Sequence, residues 1–249
     1  MFFFLRLLLG HFIGDFPLQT NKIYGLKHRG LWGGIPHALL IVASFLALSW
    51  PYLHLPKVWI FIILLGLIHL LQDSVKVSYT GFTKYSFWFY LLDQCFHIVL
   101  IAMLFFTDLK NLAPPIARNG FVSIYNNNIF IAYLIALIAA TYNGFFLIRI
   151  FKLTFMRHSG AQYTDFEKWY GMLERALIVT FCIIPGAYLL LAPLLLMRLA
   201  LFSLNKKMKF AHRSFIKPKE ILLSWIIGLT IGLLLLRVIH SLANSVGIS

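Results

Sequence analysis

Long apolar windows follow one another along nearly the whole chain. Windows such as residues 59–71 and 221–236 are apolar on every helical face, whereas a transmembrane strand would alternate apolar and polar residues. A helix needs about 20 residues to cross a hydrocarbon core of about 30 Å. The pattern therefore predicts an all-α polytopic membrane protein.

The windows predict a bundle of about eight transmembrane helices, with six to eight as the range. The predicted spans are residues 2–18, 37–54, 57–76, 87–107, 128–151, 172–187, 188–203 and 221–242. The window from 172 to 203 forms either one long kinked helix or two short helices that meet at Pro185 and Gly186. This Pro-Gly pair is the strongest helix-breaking signal inside the window.

Composition and charge narrow the class of protein further. The 249 residues are 60% apolar and only 12% charged, which leaves too little polar surface for a water-soluble globule. The formal net charge of +14 lies in short loops between the apolar windows. We therefore expect membrane lipids rather than nucleic acid as partners. The two cysteines lie in apolar windows and do not predict a disulfide framework.

The basic loops also predict an orientation. Most of the Lys and Arg residues fall in the loops at 19–36, 77–86, 152–171 and 204–220, which the positive-inside rule assigns to the cytoplasm. The N-terminus would then lie outside, on a first span that is retained rather than cleaved as a signal peptide. We expect one membrane domain, in which residues 1–110 carry the polar motifs and residues 111–249 form the second half.

Ionisable side chains recur inside three of the predicted spans at a fixed spacing. The pairs are His11 with Asp15, His69 with Asp73, and Asp93 with His97. A separation of four residues places both members of a pair on one helix face. Because a charged side chain in hydrocarbon costs about 2.5–3.5 kcal/mol even on lenient scales, these residues should have partners, a water-filled cavity or a bound ion.

The order of residues within the pairs follows the predicted topology. The first and third spans run inward and have His before Asp, whereas the fourth runs outward and has Asp before His. At about 1.5 Å per residue, the three His residues lie roughly 10–15 Å from the cytoplasmic ends of their spans. We predict that the three Asp side chains lie below the three His side chains, in a polar chamber open to the cytoplasm. His37, which begins the second span after Pro36, has a similar depth.

This layer of residues predicts a metal site and a substrate site beside it. The candidate ligands of a zinc-like divalent ion are His11, His37, His69, His97, Asp15, Asp73 and Asp93. The three Asp residues are also the candidate catalytic groups. The candidate substrate-binding residues are Gln19, Lys22, Lys76 and Gln94, which would hold an anionic lipid headgroup or a small phosphorylated compound. The alternatives are a structural His/Asp network, interfacial lysines, and a His37 that merely begins a span.

Three motifs carry a resemblance to a known family. They are the segments His11–Gln19, His69–Lys76 and Asp93–His97. Through them the chain resembles a bacterial integral-membrane family catalogued as domain of unknown function 3307. The resemblance covers about residues 5–105 and continues more weakly around Glu174, Arg175 and Glu220. It implies a bacterial inner-membrane location and suggests that the polar residues of the motifs are family features. It implies no particular activity.

Three classes of function are compatible with these residues. The first is a membrane-embedded, metal-dependent hydrolase, in which the ion lowers the pKa of a bound water and a spare Asp acts as general base. The second is a carrier or channel for a metal ion or a proton. The third is a membrane scaffold whose buried polar layer specifies helix packing. Transport requires access from both faces, so polar residues confined to one side favour an enzyme or a binding site.

Overall fold

The computed structural model describes residues 1–27, 29–79, 86–155, 165–208 and 218–245. Within these ranges the chain folds into helices joined by short turns and contains no β-strand. The predicted all-α fold is therefore confirmed for the described part of the chain.

Eleven α-helices lie within the described ranges. They are α1 (Phe2–Asp15), α2 (Asn21–Lys27), α3 (Leu31–Leu48), α4 (Pro56–Tyr79), α5 (Ser86–Ala102), α6 (Gly120–Asn126), α7 (Asn128–Ile138), α8 (Gly144–Phe155), α9 (Asp165–Ile183), α10 (Leu191–Met208) and α11 (Pro218–Ser245). A π-helical turn at Ala139–Asn143 joins α7 to α8. Short 3₁₀ turns lie at Trp50–Tyr52, Met103–Phe106, Asp108–Asn111 and Ala187–Leu190.

Five helical segments are long and apolar enough to cross a membrane. They cover Leu31–Leu48, Pro56–Val77, Ser86–Phe106, Asn128–Phe155 and Pro218–Asn244. Helix α1 has 14 residues, and 14 residues at about 1.5 Å each reach roughly 21 Å, short of a full hydrocarbon core. The count of eight crossings remains a prediction.

Each predicted span overlaps a helix, and the predicted break between 172 and 203 is observed. Helix α9 ends at Ile183 and Gly186 has a φ of 80°. This left-handed conformation suits glycine, which has no Cβ. The chain then continues into α10, so this stretch forms two helices rather than one. Most of the basic loop at 204–220 lies outside the described residues.

The chain divides into two compact units, Met1–Ile135 and Ala136–Ser249. Whether its two halves form one membrane domain remains a prediction. The first unit packs α1, α3, α4 and α5 around an apolar core. This core contains Phe3, Leu7, Ile41, Phe45, Tyr52, Val58, Ile62, Leu65, Ile101, Leu104 and Leu109.

Two glycines bring α1 and α3 unusually close together. Gly10 and Gly14 are four residues apart and face α3, where a Cβ on Gly14 would lie 3.1 Å from the Cα of Ile41 and 3.3 Å from the Oγ of Ser44. Small residues at this spacing allow helix backbones to approach in apolar surroundings. Asp15 follows Gly14 and contacts His37 of α3 at 3.1 Å, so the close approach also brings this carboxylate against α3.

In the second unit, α9 and α11 pack through another pair of glycines. A Cβ on Gly232 would lie 2.8 Å from the Sγ of Cys182, and one on Gly228 would lie 3.2 Å from the Ile178 side chain. Arg175 of α9 is buried and donates to the carbonyl oxygens of Ala140 and Thr141, at 2.5 and 3.2 Å. These carbonyls belong to the π-helical turn, so Arg175 satisfies acceptors that an irregular turn leaves available.

The Glu174 side chain completes a polar cluster in the second unit. It accepts hydrogen bonds from the Ser224 hydroxyl and the Trp225 indole at 3.1 and 3.2 Å, and Arg198 lies 3.9 Å away. Arg175 donates to the same Ser224 at 3.0 Å. The cluster ties α9, α10 and α11 together, which fits a structural role for the Glu174-Arg175 pair.

Candidate metal centre

The polar residues of the first unit gather at one end of its helices. In α1 and α4 they follow the apolar core residues along the chain, and in α3 and α5 they precede them. Successive long helices run in opposite directions, so all four polar segments lie at the same end of the bundle. The order of His and Asp is reversed in α5 because this helix runs in the direction opposite to α1 and α4, as the sequence predicted.

All seven predicted metal ligands are buried. Their residue exposures lie between 0% and 7%, and the seven are His11, Asp15, His37, His69, Asp73, Asp93 and His97. Buried imidazoles and carboxylates are rare unless they pair with one another or bind an ion. The predicted gathering of these side chains is observed, while their chemical roles remain predictions.

Three ligand atoms surround the Nε2 atom of His37. Its Nε2 lies 3.1 Å from Asp15 Oδ1, 3.2 Å from His69 Nε2 and 3.4 Å from Asp73 Oδ2. His69 Nε2 lies 3.2 Å from the same Asp73 oxygen. The ligand atoms of Asp15, His37 and His69 all fall within 4.8 Å of one another. The four side chains come from α1, α3 and α4, so the site depends on the tertiary fold.

Four of the six distances between these ligand atoms can be compared with those in a tetrahedral metal shell. Zinc binds imidazole nitrogen and carboxylate oxygen at about 2.0–2.2 Å. In a tetrahedron the distance between two ligands is 1.63 times the bond length, which gives about 3.3–3.6 Å for such bonds. The observed separations of 3.1–3.4 Å lie at or just below this range. The His and Asp groups are therefore close enough to hold one metal ion.

Two lysines balance part of the negative charge. Lys27 Nζ lies 2.5 Å from Asp73 Oδ2, and Lys76 forms a short ion pair with Asp93 Oδ2. The side chain of Lys27 is 9% exposed, whereas that of Lys76 is 27% exposed. Lys76 is therefore the more accessible of the two lysines that pair with the cluster.

Amide side chains hold two of the carboxylates in place. Gln94 donates to Asp15 Oδ2 at 3.3 Å and to Asp93 Oδ2 at 3.4 Å. Gln72 donates to the backbone oxygen and Oδ1 of Asp93 at 3.0 and 3.3 Å. Such contacts fix the orientation of carboxylates in metal sites and in structural networks alike.

The predicted substrate-binding residues have different surroundings. Gln94 and Lys76 contact the cluster, as described above, and the Nε2 of Gln19 lies 3.5 Å from His37 Nδ1. Lys22 is exposed on α2, away from the buried groups that the other three contact. The structure thus brings three of these residues to the cluster, and their role in binding a substrate remains a prediction.

Sequence reasoning missed Lys27 and Gln72. Lys27 falls in a segment predicted as a loop, yet residues 21–27 form α2. In that helix Ile23, Leu26 and Lys27 share one face, because they are three and four residues apart. Seven residues are too few for a clear periodic signal, so the inward position of Lys27 follows only from the structure. The same spacing argument places Gln72 beside His69, three residues earlier in α4.

His37 is more central than its position at a helix start suggested. It lies one residue after Pro36, inside α3, and it is fully buried. Its Nε2 contacts residues of both α1 and α4. His37 therefore lies inside its helix and contacts the cluster, and its role as a metal ligand remains a prediction.

These features define an all-α protein with membrane-length apolar helices and a buried His/Asp cluster in its N-terminal unit. Residues 3–119 match the model of a family described as a protein of unknown function, DUF3307. This match confirms the resemblance seen in the His/Asp motifs. Comparison with curated proteins and with solved structures gives no significant match.

Proposed function

We propose that the first unit is a membrane-embedded, metal-dependent hydrolase. The observation that supports this most is a buried site in which His37 Nε2 lies 3.1–3.4 Å from another imidazole nitrogen and two carboxylate oxygens. His37, His69, Asp15 and Asp73 would bind the ion. A mixed set of nitrogen and oxygen ligands suits zinc, iron(II) or manganese(II) rather than a soft, thiolate-binding ion.

The balance of charge favours an ion that carries hydroxide. The three Asp residues contribute three negative charges and the two paired lysines contribute two positive charges, so the cluster with neutral His residues carries one negative charge. A divalent ion with one bound hydroxide adds one positive charge and makes the buried cluster neutral. Lowering the pKa of bound water is the chemistry that such an ion supplies to a hydrolase.

Residues outside the four-ligand set would serve the reaction. Asp93 is the spare carboxylate and therefore the candidate general base. Lys76, the more exposed of the two paired lysines, would contact an anionic group on the substrate. The substrate would be a lipid headgroup or a small phosphorylated compound that reaches the polar end of the bundle.

The location of the apolar core favours an enzyme over a carrier. The core fills the part of the first unit on the other side of the cluster, and several of its members, such as Leu7, Ile41 and Ile62, have no solvent exposure. An ion would have to cross this packed region to reach the opposite end of the bundle. We place the protein in the bacterial inner membrane, with about eight crossings, the N-terminus outside and the site facing the cytoplasm.

Elemental analysis of the purified full chain tests the metal site. We expect about one zinc-like ion per chain in detergent solution, and loss of that ion in His37→Ala and Asp15→Asn. The matched controls are His54→Ala and Asp108→Asn, since both side chains are exposed and outside the cluster. Circular dichroism would verify that each variant is folded. A folded, metal-free wild type would exclude the metal-dependent hydrolase.

A transport assay separates the hydrolase from the carrier. Proteoliposomes that contain the wild type should show no zinc uptake above that of empty vesicles, while the metal-loaded protein in detergent should hydrolyse a phosphate ester probe such as p-nitrophenyl phosphate. Zinc uptake that is abolished by His37→Ala but kept by His54→Ala would instead establish a carrier.

A further inference from the structure

Three buried polar atoms next to the four-ligand set have no hydrogen-bond partner among the described residues. They are His11 Nε2, His97 Nε2 and Asp73 Oδ1. Their residues are 1%, 3% and 2% exposed, respectively. Leaving a buried polar atom unpaired costs free energy, and three such atoms in one cluster indicate a missing ligand.

The three atoms belong to side chains that are adjacent in the fold. The ring centroids of His11 and His97 are 4.9 Å apart, and the ring of His97 stacks on that of His69 at 4.3 Å. One ligand atom each of His69, Asp73 and His97 lies within 4.8 Å of the other two. His97 Nε2 also lies 3.5 Å from Asp93 Oδ1, which is too long for a good hydrogen bond.

Asp73 connects the two groups of atoms. Its Oδ2 faces His37, His69 and Lys27, whereas its Oδ1 is the unpaired atom. A carboxylate with one oxygen in a ligand set and the other oxygen unpaired can bridge the two ions of a two-metal site. From this geometry, and resting on the metal site proposed above, we infer a second divalent-ion position formed by His11, His97 and the Oδ1 of Asp73, beside the candidate general base Asp93.

Charge determines when the second ion binds. The cluster is already neutral with one divalent ion and one hydroxide, so a second divalent ion adds two positive charges to a buried site. A phosphate monoester dianion supplies two negative charges. The second ion therefore binds together with a phosphate monoester group, which two ions hold and activate as a pair. The substrate class of the proposed hydrolase is accordingly a phosphate monoester, either soluble or in a lipid headgroup.

The reaction that follows consumes one water and needs no other reactant. The oxygen of the water forms a bond to phosphorus, and the bond between phosphorus and the alcohol oxygen breaks. The electron pair leaves with the alcohol oxygen, which takes up a proton from the water. The products are inorganic phosphate and the free alcohol.

Equilibrium dialysis of the full chain with Zn²⁺ tests the second position. In the wild type we expect one bound ion without phosphate and two with inorganic phosphate. His11→Ala and His97→Ala should keep the first ion and lose the phosphate-dependent second one, while the control His54→Ala should keep both. No bound ion in the folded wild type would refute the metal site itself, whereas one ion with and without phosphate would refute only the second position.

A measurement on the wild type covers the case in which the variants fail to fold. With Mn²⁺ in place of Zn²⁺, phosphate should convert the electron paramagnetic resonance spectrum from that of isolated ions to that of an exchange-coupled pair. A spectrum of isolated ions under both conditions would overturn the inference, because two ions that share the Asp73 carboxylate must be magnetically coupled.

Vesicles distinguish the source of the phosphate group. Phosphatidic acid carries a phosphate monoester, whereas phosphatidylcholine carries a diester. If the substrate is a lipid, phosphatidic acid vesicles should promote binding of the second ion at least as well as p-nitrophenyl phosphate does. If it is soluble, only p-nitrophenyl phosphate should act. Equal promotion by phosphatidylcholine would contradict the assignment to a monoester.

Discussion

Replacing Gly14 by alanine should separate α1 from α3 and weaken the metal site. The new Cβ would lie 2.7 Å from the Cδ1 and 3.1 Å from the Cα of Ile41. Carbon atoms pack best at about 3.5–4.0 Å. The Cδ1 atom can rotate away, but the backbone Cα cannot, so the two helices must move apart by roughly 0.4 Å or more to reach that separation.

The expected loss of stability follows from this overpacking. Extra methylene-sized groups in a packed interior cost about 1–3 kcal/mol, and we expect Gly14→Ala to lower the free energy of unfolding by that amount. The movement also separates Asp15 on α1 from His37 on α3, whose facing atoms are 3.1 Å apart. Disturbing the supports of a metal site lowers affinity by about 10–100-fold, and a similar loss of zinc affinity is expected here.

Gly25→Ala is the matched control for this prediction. Gly25 lies in α2, where a Cβ would meet nothing within 4 Å. Alanine is the better helix former by about 1 kcal/mol, so this variant should be as stable as the wild type or slightly more stable. Thermal unfolding in detergent and zinc titration measure both effects. The steric argument is refuted if Gly14→Ala unfolds at the same temperature as Gly25→Ala and binds zinc equally well.

Three further variants test the ion pairs and the buried arginines. Lys27→Met removes the lysine that pairs with the Asp73 carboxylate, so it should lower the free energy of unfolding by about 3–5 kcal/mol when a chelator keeps the site free of metal, and by less when zinc is bound. The exposed Lys22→Met should change this free energy by no more than about 0.5 kcal/mol. Chemical unfolding with and without zinc compares the two variants, and equal effects would contradict the ion pair. Arg6→Lys loses a planar group that donates to the Phe2 and Tyr125 carbonyls and to Asn128. It should destabilise by about 1.5–3 kcal/mol at unchanged zinc stoichiometry, which elemental analysis would verify. Arg175→Lys should act similarly, since it removes the donors to the π-helical turn, and zinc loss in this variant would show that the metal site depends on the second unit.

The sequence predicted the members of the cluster better than their contacts. Four-residue spacing placed His69 beside Asp73, and these two are in contact at 3.2 Å. The same spacing placed His11 and Asp15 on one face of α1, and it did not predict that Asp15 contacts His37 of another helix. Spacing reports only which residues share a face of one helix. Contacts between helices depend on rotation and close approach, which Gly10 and Gly14 set through their lack of side chains.

The sequence of this chain does not predict the lengths of its helices or the contacts between them. Every predicted span overlaps a helix, because apolar windows identify helices whatever their neighbours are. Helix α2 was not predicted, since seven residues at 21–27 are too few to produce a periodic signal. Lys27 was missed for the same reason, although it forms one of the cluster's two lysine ion pairs.

The two lysines explain how such a cluster remains folded before any ion binds. Three carboxylates at one end of a bundle would repel one another strongly in apolar surroundings. Lys27 and Lys76 each neutralise one of them, on Asp73 and Asp93. Asp15 lacks a lysine in ion-pair contact among the described residues and is held by His37 and Gln94 instead. The uncompensated charge therefore lies on Asp15, next to the two imidazoles that face each other, and this is the position where a divalent ion gains most from binding.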